Sequence, residues 1–159
     1  MCPCCDGSLS VKGSRKRVWY KSCGERAKLI IRRLYCERCR KIHHELPDLL
    51  IPYRRYDACS IENVVTEKAR NIVAADNSTL ARWRTWFILW SMYAVGCLAA
   101  IAARFNLPVR GSSAHSQSAH QEIGRYVEVQ DGWLSRAVRR ITNSLFWVQT
   151  RSAFLSECS

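Results

Sequence analysis

Acidic side chains are the scarce class in this chain: 13 Asp and Glu stand against 25 Lys and Arg, a net charge of +12 over 159 residues. A transposase or nuclease core gathers several carboxylates around two Mg²⁺ ions. Asp48, Glu62, Asp76, Glu122, Glu128 and Asp131 carry no spacing that marks such a triad, and the length leaves little room for a ribonuclease-H-like core. A Gly-rich phosphate loop, a nucleophile elbow and a flavin or nicotinamide fingerprint are missing too. The expectation is a protein that is not an enzyme. No secretory signal precedes the nine cysteines, and their number is odd. A disulfide scaffold is therefore disfavoured and a reducing cytoplasm expected.

What is present begins at the first residues. Cys2-Pro3-Cys4-Cys5-Asp6-Gly7 is answered by Cys36-Glu37-Arg38-Cys39-Arg40. Read as C-x2-C, thirty residues, C-x2-C, this is the ligand pattern of a structural zinc site. Cys2, Cys5, Cys36 and Cys39 are the expected zinc ligands, with no open position for chemistry. Spacing favours Cys5 as the mate of Cys2, but Cys4, His43 or His44 remains an alternative donor. Between the turns, Leu9 to Tyr20 and Lys28 to Tyr35 read as strands, with Lys21–Glu25 as the turn joining them. Gly7 gives the first cysteine turn an open backbone.

Charge is concentrated in the same unit. Residues 1–41 hold twelve Lys and Arg against three acidic residues, a balance of +9. That density suits a polyanion. Arg15, Lys16, Arg17, Arg32 and Arg33 on the strands are the candidate nucleic-acid contacts; attraction to anionic lipid is the competing use.

After the ribbon, Pro47 and Pro52 bracket an apolar run that no long helix can contain. His43-His44-Glu45 lacks the H-E-x-x-H register of a zinc enzyme, and Pro47 breaks the helix that register needs. Cys2-Pro3-x-Cys5, Gly13-Ser14-Arg15, Ile31-Arg32-Arg33-Leu34, Cys36-x-x-Cys39, Ile42 to Asp48 and Ile51-Pro52-Tyr53 together resemble an uncharacterised family of short zinc-ribbon proteins of Gram-positive bacteria. Their ribbons resemble those that begin many insertion-sequence transposases. The resemblance is dense over residues 2–56 and looser through Ser78–Arg84 and Thr150–Leu155. It implies a DNA-associated role, with a recombinase or transposase as a candidate partner, and no assigned activity. Asp6 departs from the pattern, since relatives often have glycine there. The start at Met1-Cys2 leaves no residues ahead of the first knuckle and raises the expectation of an upstream start.

Asp57 to Ser60 offers a helix N-cap, and Ile61, Val64, Val65, Ala69, Ile72 and Val73 follow as an apolar stripe. A second helix opens near Thr79. The pair is a candidate helix-turn-helix in which Ser78, Thr79, Arg82 and Thr85 face a groove and Arg84 a phosphate. Leu80, Trp83 and Phe87 would face the core. Trp86 to Ala103 then carries no charge over eighteen residues, about 27 Å of helix, near the thickness of a bilayer's hydrocarbon. Burial under the amphipathic segment Trp133, Leu134, Ala137, Val138, Ile141 and Leu145 is the expected alternative to a membrane span. Phe146-Trp147-Val148 and Phe154-Leu155 are expected to complete that core.

The chain is thus expected to be α+β. Residues 1–56 form a zinc ribbon with its Pro-bracketed extension, 57–105 a helical unit, 106–121 a linker, and 122–159 a C-terminal amphipathic helical segment. The expected role is a zinc-dependent, DNA-binding accessory or regulator of a mobile element. A membrane-anchored protein with a cytoplasmic basic ribbon, or a zinc-ribbon protein-interaction module, stands as the alternative.

Overall fold

A computed structural model of the chain describes residues 1–67, 73–111, 118–128, 130–147 and 152–153, the last pair by backbone alone. The class is α+β, an antiparallel three-stranded sheet followed by helices. Strands β1 (Leu9–Tyr20) and β2 (Arg26–Cys36) form the long hairpin foreseen, β2 opening two residues ahead of Lys28. They pair from Leu9 opposite Cys36 to Tyr20 opposite Arg26, which brings the two cysteine turns together at the open end. The register shifts between Val11 and Gly13. Gly13 lies there at a φ of +140°, a conformation that L side chains rarely adopt. Strand β3 (Lys41–Glu45) returns along β2, placing His43 opposite Leu34 and His44 opposite Arg33. A short β4 (Ser152–Ala153) runs parallel to β3, completing the order β1-β2-β3-β4.

Alternation along the hairpin separates two faces. Trp19, Arg17 and Arg15 share one with Ala27, Leu29 and Ile31; Val18, Lys16 and Ser14 share the other with Lys28, Ile30 and Arg32. Trp19 and Leu29 pack on the helical core, and Arg17 donates to the carbonyls of Ile51 and Arg54. The other face is open: Ser14, Lys16, Lys28, Ile30 and Arg32 are all exposed.

The Pro-bracketed segment supplies the join. Leu46, Leu50 and Ile51 are almost fully buried and belong to the same apolar cluster as the helices. Tyr20 stacks on Tyr56, which meets Trp83 edge-on. Asp57 then caps α1 (Ala58–Val65), accepting from both the amide and the hydroxyl of Ser60. Of the expected stripe, Ile61 and Val64 are buried, while Ala69 and Ile72 lie outside the described residues.

Helix α2 (Asn77–Phe105) is one uninterrupted element of 29 residues, capped by Asp76 and closed by Asn106 in the left-handed conformation. Between α1 and α2, residues 68–72 lie outside the described residues, so the expected helix-turn-helix is not established. Trp83, Phe87, Trp90, Ala94, Leu98 and Ile101 form its buried side. Helix α3 (Ala119–Gly124) starts inside the stretch expected to be linker, of which 112–117 lie outside the described residues.

Helix α4 (Trp133–Asn143) buries the expected Trp133, Leu134, Ala137, Val138 and Ile141. Leu145 departs from that stripe: it follows the helix end at a φ of +64° and is exposed. Phe146 and Trp147 pack on the core, whereas Val148, Phe154 and Leu155 lie outside the described residues. Glu62 of α1 reaches across to the start of α4, where its carboxylate accepts from the amides of Gly132 and Leu134 at 2.9 and 3.0 Å. Ser135 and Arg139 tie α4 back to Asp48.

Candidate metal centre and basic face

The two cysteine turns are built alike. In the first, Asp6 N–H donates to the Cys2 carbonyl and Cys4 N–H to Cys2 Sγ, and Asp6 takes a φ of +56°. In the second, Arg40, also one residue past the last cysteine, takes +54°. Arg38 links them by donating to the Cys5 carbonyl at 2.8 Å. Gly7 is favoured by close approach, because a Cβ there would stand 3.1 Å from Cys36 Sγ and 3.3 Å from Cys5 Sγ.

The sulfurs of Cys2, Cys5, Cys36 and Cys39 all lie within 4.8 Å of one another. Cys2 and Cys39 are 3.6 Å apart, Cys5 and Cys36 3.5 Å. A tetrahedron with zinc–sulfur bonds of about 2.3 Å has edges of roughly 3.8 Å, so the donor set fits such an ion. A second group within the same limit consists of Cys2, Cys4, Cys39 and His43. His43 Nε2 lies 3.3 Å from Cys2 Sγ, and the ring is buried. Five cysteines and a histidine at this end, in two overlapping groups of four, could therefore hold a metal ion. His44 is in neither group.

The thiols differ before any ion is considered. The backbone N–H of Cys39 holds Cys36 down at about 7, whereas burial pushes Cys2 up. A coordinated divalent ion overrides both, since a coordinating thiol is deprotonated outright.

Residues 2–83 match the family described as Domain of unknown function (DUF6431). The chain belongs to that family. The DUF6431 match spans the hairpin, both cysteine turns, the Pro-bracketed segment, α1 and the first turns of α2. No curated protein and no solved structure matches the chain.

The candidate nucleic-acid contacts are spread over several surfaces. Lys16 and Arg32 lie on the open face of the hairpin, Arg15, Arg17 and Arg33 on the other by alternation. Arg17 is bound to backbone carbonyls, and burial lowers its pKa. Arg32 makes a two-pronged ion pair with Glu45, a residue buried on β3. Lys16 is joined on the open face by Lys28, and Arg26 shares that face at the hairpin tip. Neither Lys28 nor Arg26 was among the candidates; alternation from Lys16 and its pairing opposite Ile30 would have found both. Among the described residues, Lys16, Arg26 and Lys28 make no ion pair.

At the start of α2, Ser78, Thr79 and Arg82 are occupied with one another. Both hydroxyls donate to Asp76, and Arg82 folds back on the Ser78 carbonyl and both hydroxyls. The Ser78 hydroxyl and Thr79 amide hold the Asp76 carboxyl down at about 2. Arg84 and Thr85 are exposed on the following turn.

Proposed function

We propose that the protein is a zinc-dependent, cytoplasmic DNA-binding accessory or regulator of a mobile element, and that it grips the phosphate backbone with the open face of its hairpin. The single observation behind this is that face: Lys16, Arg26 and Lys28 are exposed on one side of a strand pair whose other side is anchored on the core. Zinc, held by Cys2, Cys5, Cys36 and Cys39, would fix the strands' open end. The ribbon's resemblance to those of insertion-sequence transposases supports the mobile-element setting and a recombinase as partner. Arg84 and Thr85 are the free residues left on the α2 side; Ser78, Thr79 and Arg82 would first have to leave their network around Asp76.

The test is duplex binding by zinc-loaded protein across a salt series. Affinity should fall with salt at a log–log slope of about −0.9 per phosphate contact. Replacing Lys16 and Lys28 with alanine should flatten the slope by up to about two units and weaken all duplexes equally. Arg82→Ala should cost about 1–3 kcal/mol on a preferred site if it reads a base. Absence of binding at ~50 mM salt by folded, zinc-loaded protein would favour a protein-interaction module.

Membrane anchoring has one observation in its favour. Ile88, Leu89 and Met92 of α2 are 61%, 67% and 75% exposed, and α2 is long and apolar enough to cross a membrane. Retention in membranes through high-salt and alkaline washes would favour that role.

A further inference from the structure

Six donors converge on the metal end, two more than one tetrahedral ion takes. Cys2, Cys5, Cys36 and Cys39 form one group of four, and Cys2, Cys4, Cys39 and His43 form the other. The groups have Cys2 and Cys39 in common, and those two sulfurs are 3.6 Å apart, close to one tetrahedral edge. The additional donors do not scatter. Cys4 Sγ and a ring nitrogen of His43 gather about this same edge, each within 4.8 Å of both its sulfurs, with Nε2 only 3.3 Å from Cys2. We propose that the chain holds a binuclear zinc cluster in which Cys2 and Cys39 bridge two ions. Cys5 and Cys36 complete one ion, Cys4 and His43 the other.

Three physical points carry the assignment, which rests on the metal-binding reading above. Two four-coordinate ions sharing an edge of this length stand about 3 Å apart given zinc–sulfur bonds of about 2.3 Å, so bridging thiolates are needed to screen their repulsion. A thiolate has three lone pairs, and Cys2 has three uses for them: two ions and the Cys4 N–H at 3.4 Å. Charge also favours the pair. One Zn²⁺ among four thiolates leaves a formal charge of −2 on a partly buried group; adding Cys4, neutral His43 and a second Zn²⁺ brings it to −1. His43 is well placed for the task, 2% exposed on β3 with its register fixed opposite Leu34. Its imidazole nitrogen would bind neutral, as metal-ligating histidines do.

Counting zinc in the full chain tests this. Protein purified under reductant and assayed by elemental analysis and native mass spectrometry should hold two zinc ions per chain. His43→Ala and Cys4→Ser should each hold one and keep the hairpin folded, because Cys2, Cys5, Cys36 and Cys39 remain. One ion in the unaltered chain would overturn the cluster and leave a single-ion ribbon, with His43 a hydrogen-bond donor to Cys2. No ion at all would overturn both. Two ions surviving in either variant would overturn the assignment of the second.

Discussion

Gly7 sits where two metal-site sulfurs leave little space for a side chain. A Cβ at 3.1 Å from both Cys36 Sγ and Arg38 Cβ forces the cysteine turns apart by some tenths of an ångström. Gly7→Ala should therefore weaken zinc binding about tenfold or more, the scale of losses around metal ligands, as read by competition with a chelator. Arg40 presents the opposite case. Its φ of +54° is left-handed, which costs a non-glycine residue about 1 kcal/mol or more. Arg40→Gly should raise stability by up to about 1 kcal/mol in denaturant unfolding, and an unchanged or lower value would contradict the strain. Spacing in the sequence points to the four cysteines Cys2, Cys5, Cys36 and Cys39. It gives no sign of the shared geometry of Asp6 and Arg40, because neither is the glycine that a left-handed angle favours.

At the scale of elements, α2 has two sides with different fates. Leu98 is 1% exposed among core residues, whereas Met92 is 75% exposed. Leu98→Ala should cost about 2–5 kcal/mol, and Met92→Lys should stay within about 0.5 kcal/mol, both measured by denaturant unfolding. A large loss for Met92→Lys would mean that something covers this face. The apolar run from Trp86 to Ala103 announces a helix in need of cover, and the stripe from Trp133 to Ile141 announces the cover. Neither says that α4 shields only part of the circumference. The hairpin strands are legible almost to the residue because a polar turn separates two β-rich runs. β3 and α3 are too short for periodicity to mark them: five residues paired along β2, six behind a serine cap.

For the whole molecule, the metal end and the helical core are distinct in composition yet joined through one short segment. The apolar cluster runs from Leu46 through Ile141, with Trp19 and Leu29 of the hairpin laid against it, while the metal end depends on sulfur. If the metal end holds zinc as proposed, removing the ion with a chelator should abolish amide-exchange protection around Cys2–Gly7 and Cys36–His43 and leave α2 and α4 protected, with helical circular dichroism retained. Loss of all protection together would show that the ion holds the entire fold.

The sequence by itself determined the cysteine turns, the hairpin between them, the excess of positive charge, and the two apolar helices that seek each other. Each is a local property, carried by spacing, turn residues or periodicity. Only the tertiary structure decided which charges stay open to solvent. Arg17 is spent on the carbonyls of Ile51 and Arg54, Arg32 on Glu45, and Arg82 on its own helix start, while Lys16, Arg26 and Lys28 remain clear. It also decided that Glu62, one carboxylate among several in the sequence, caps α4 from seventy residues away, and that His43 stands beside Cys2. Such partners meet because β3 folds back along β2 and α1 packs against α4. Chain separation hides these pairings from any local pattern.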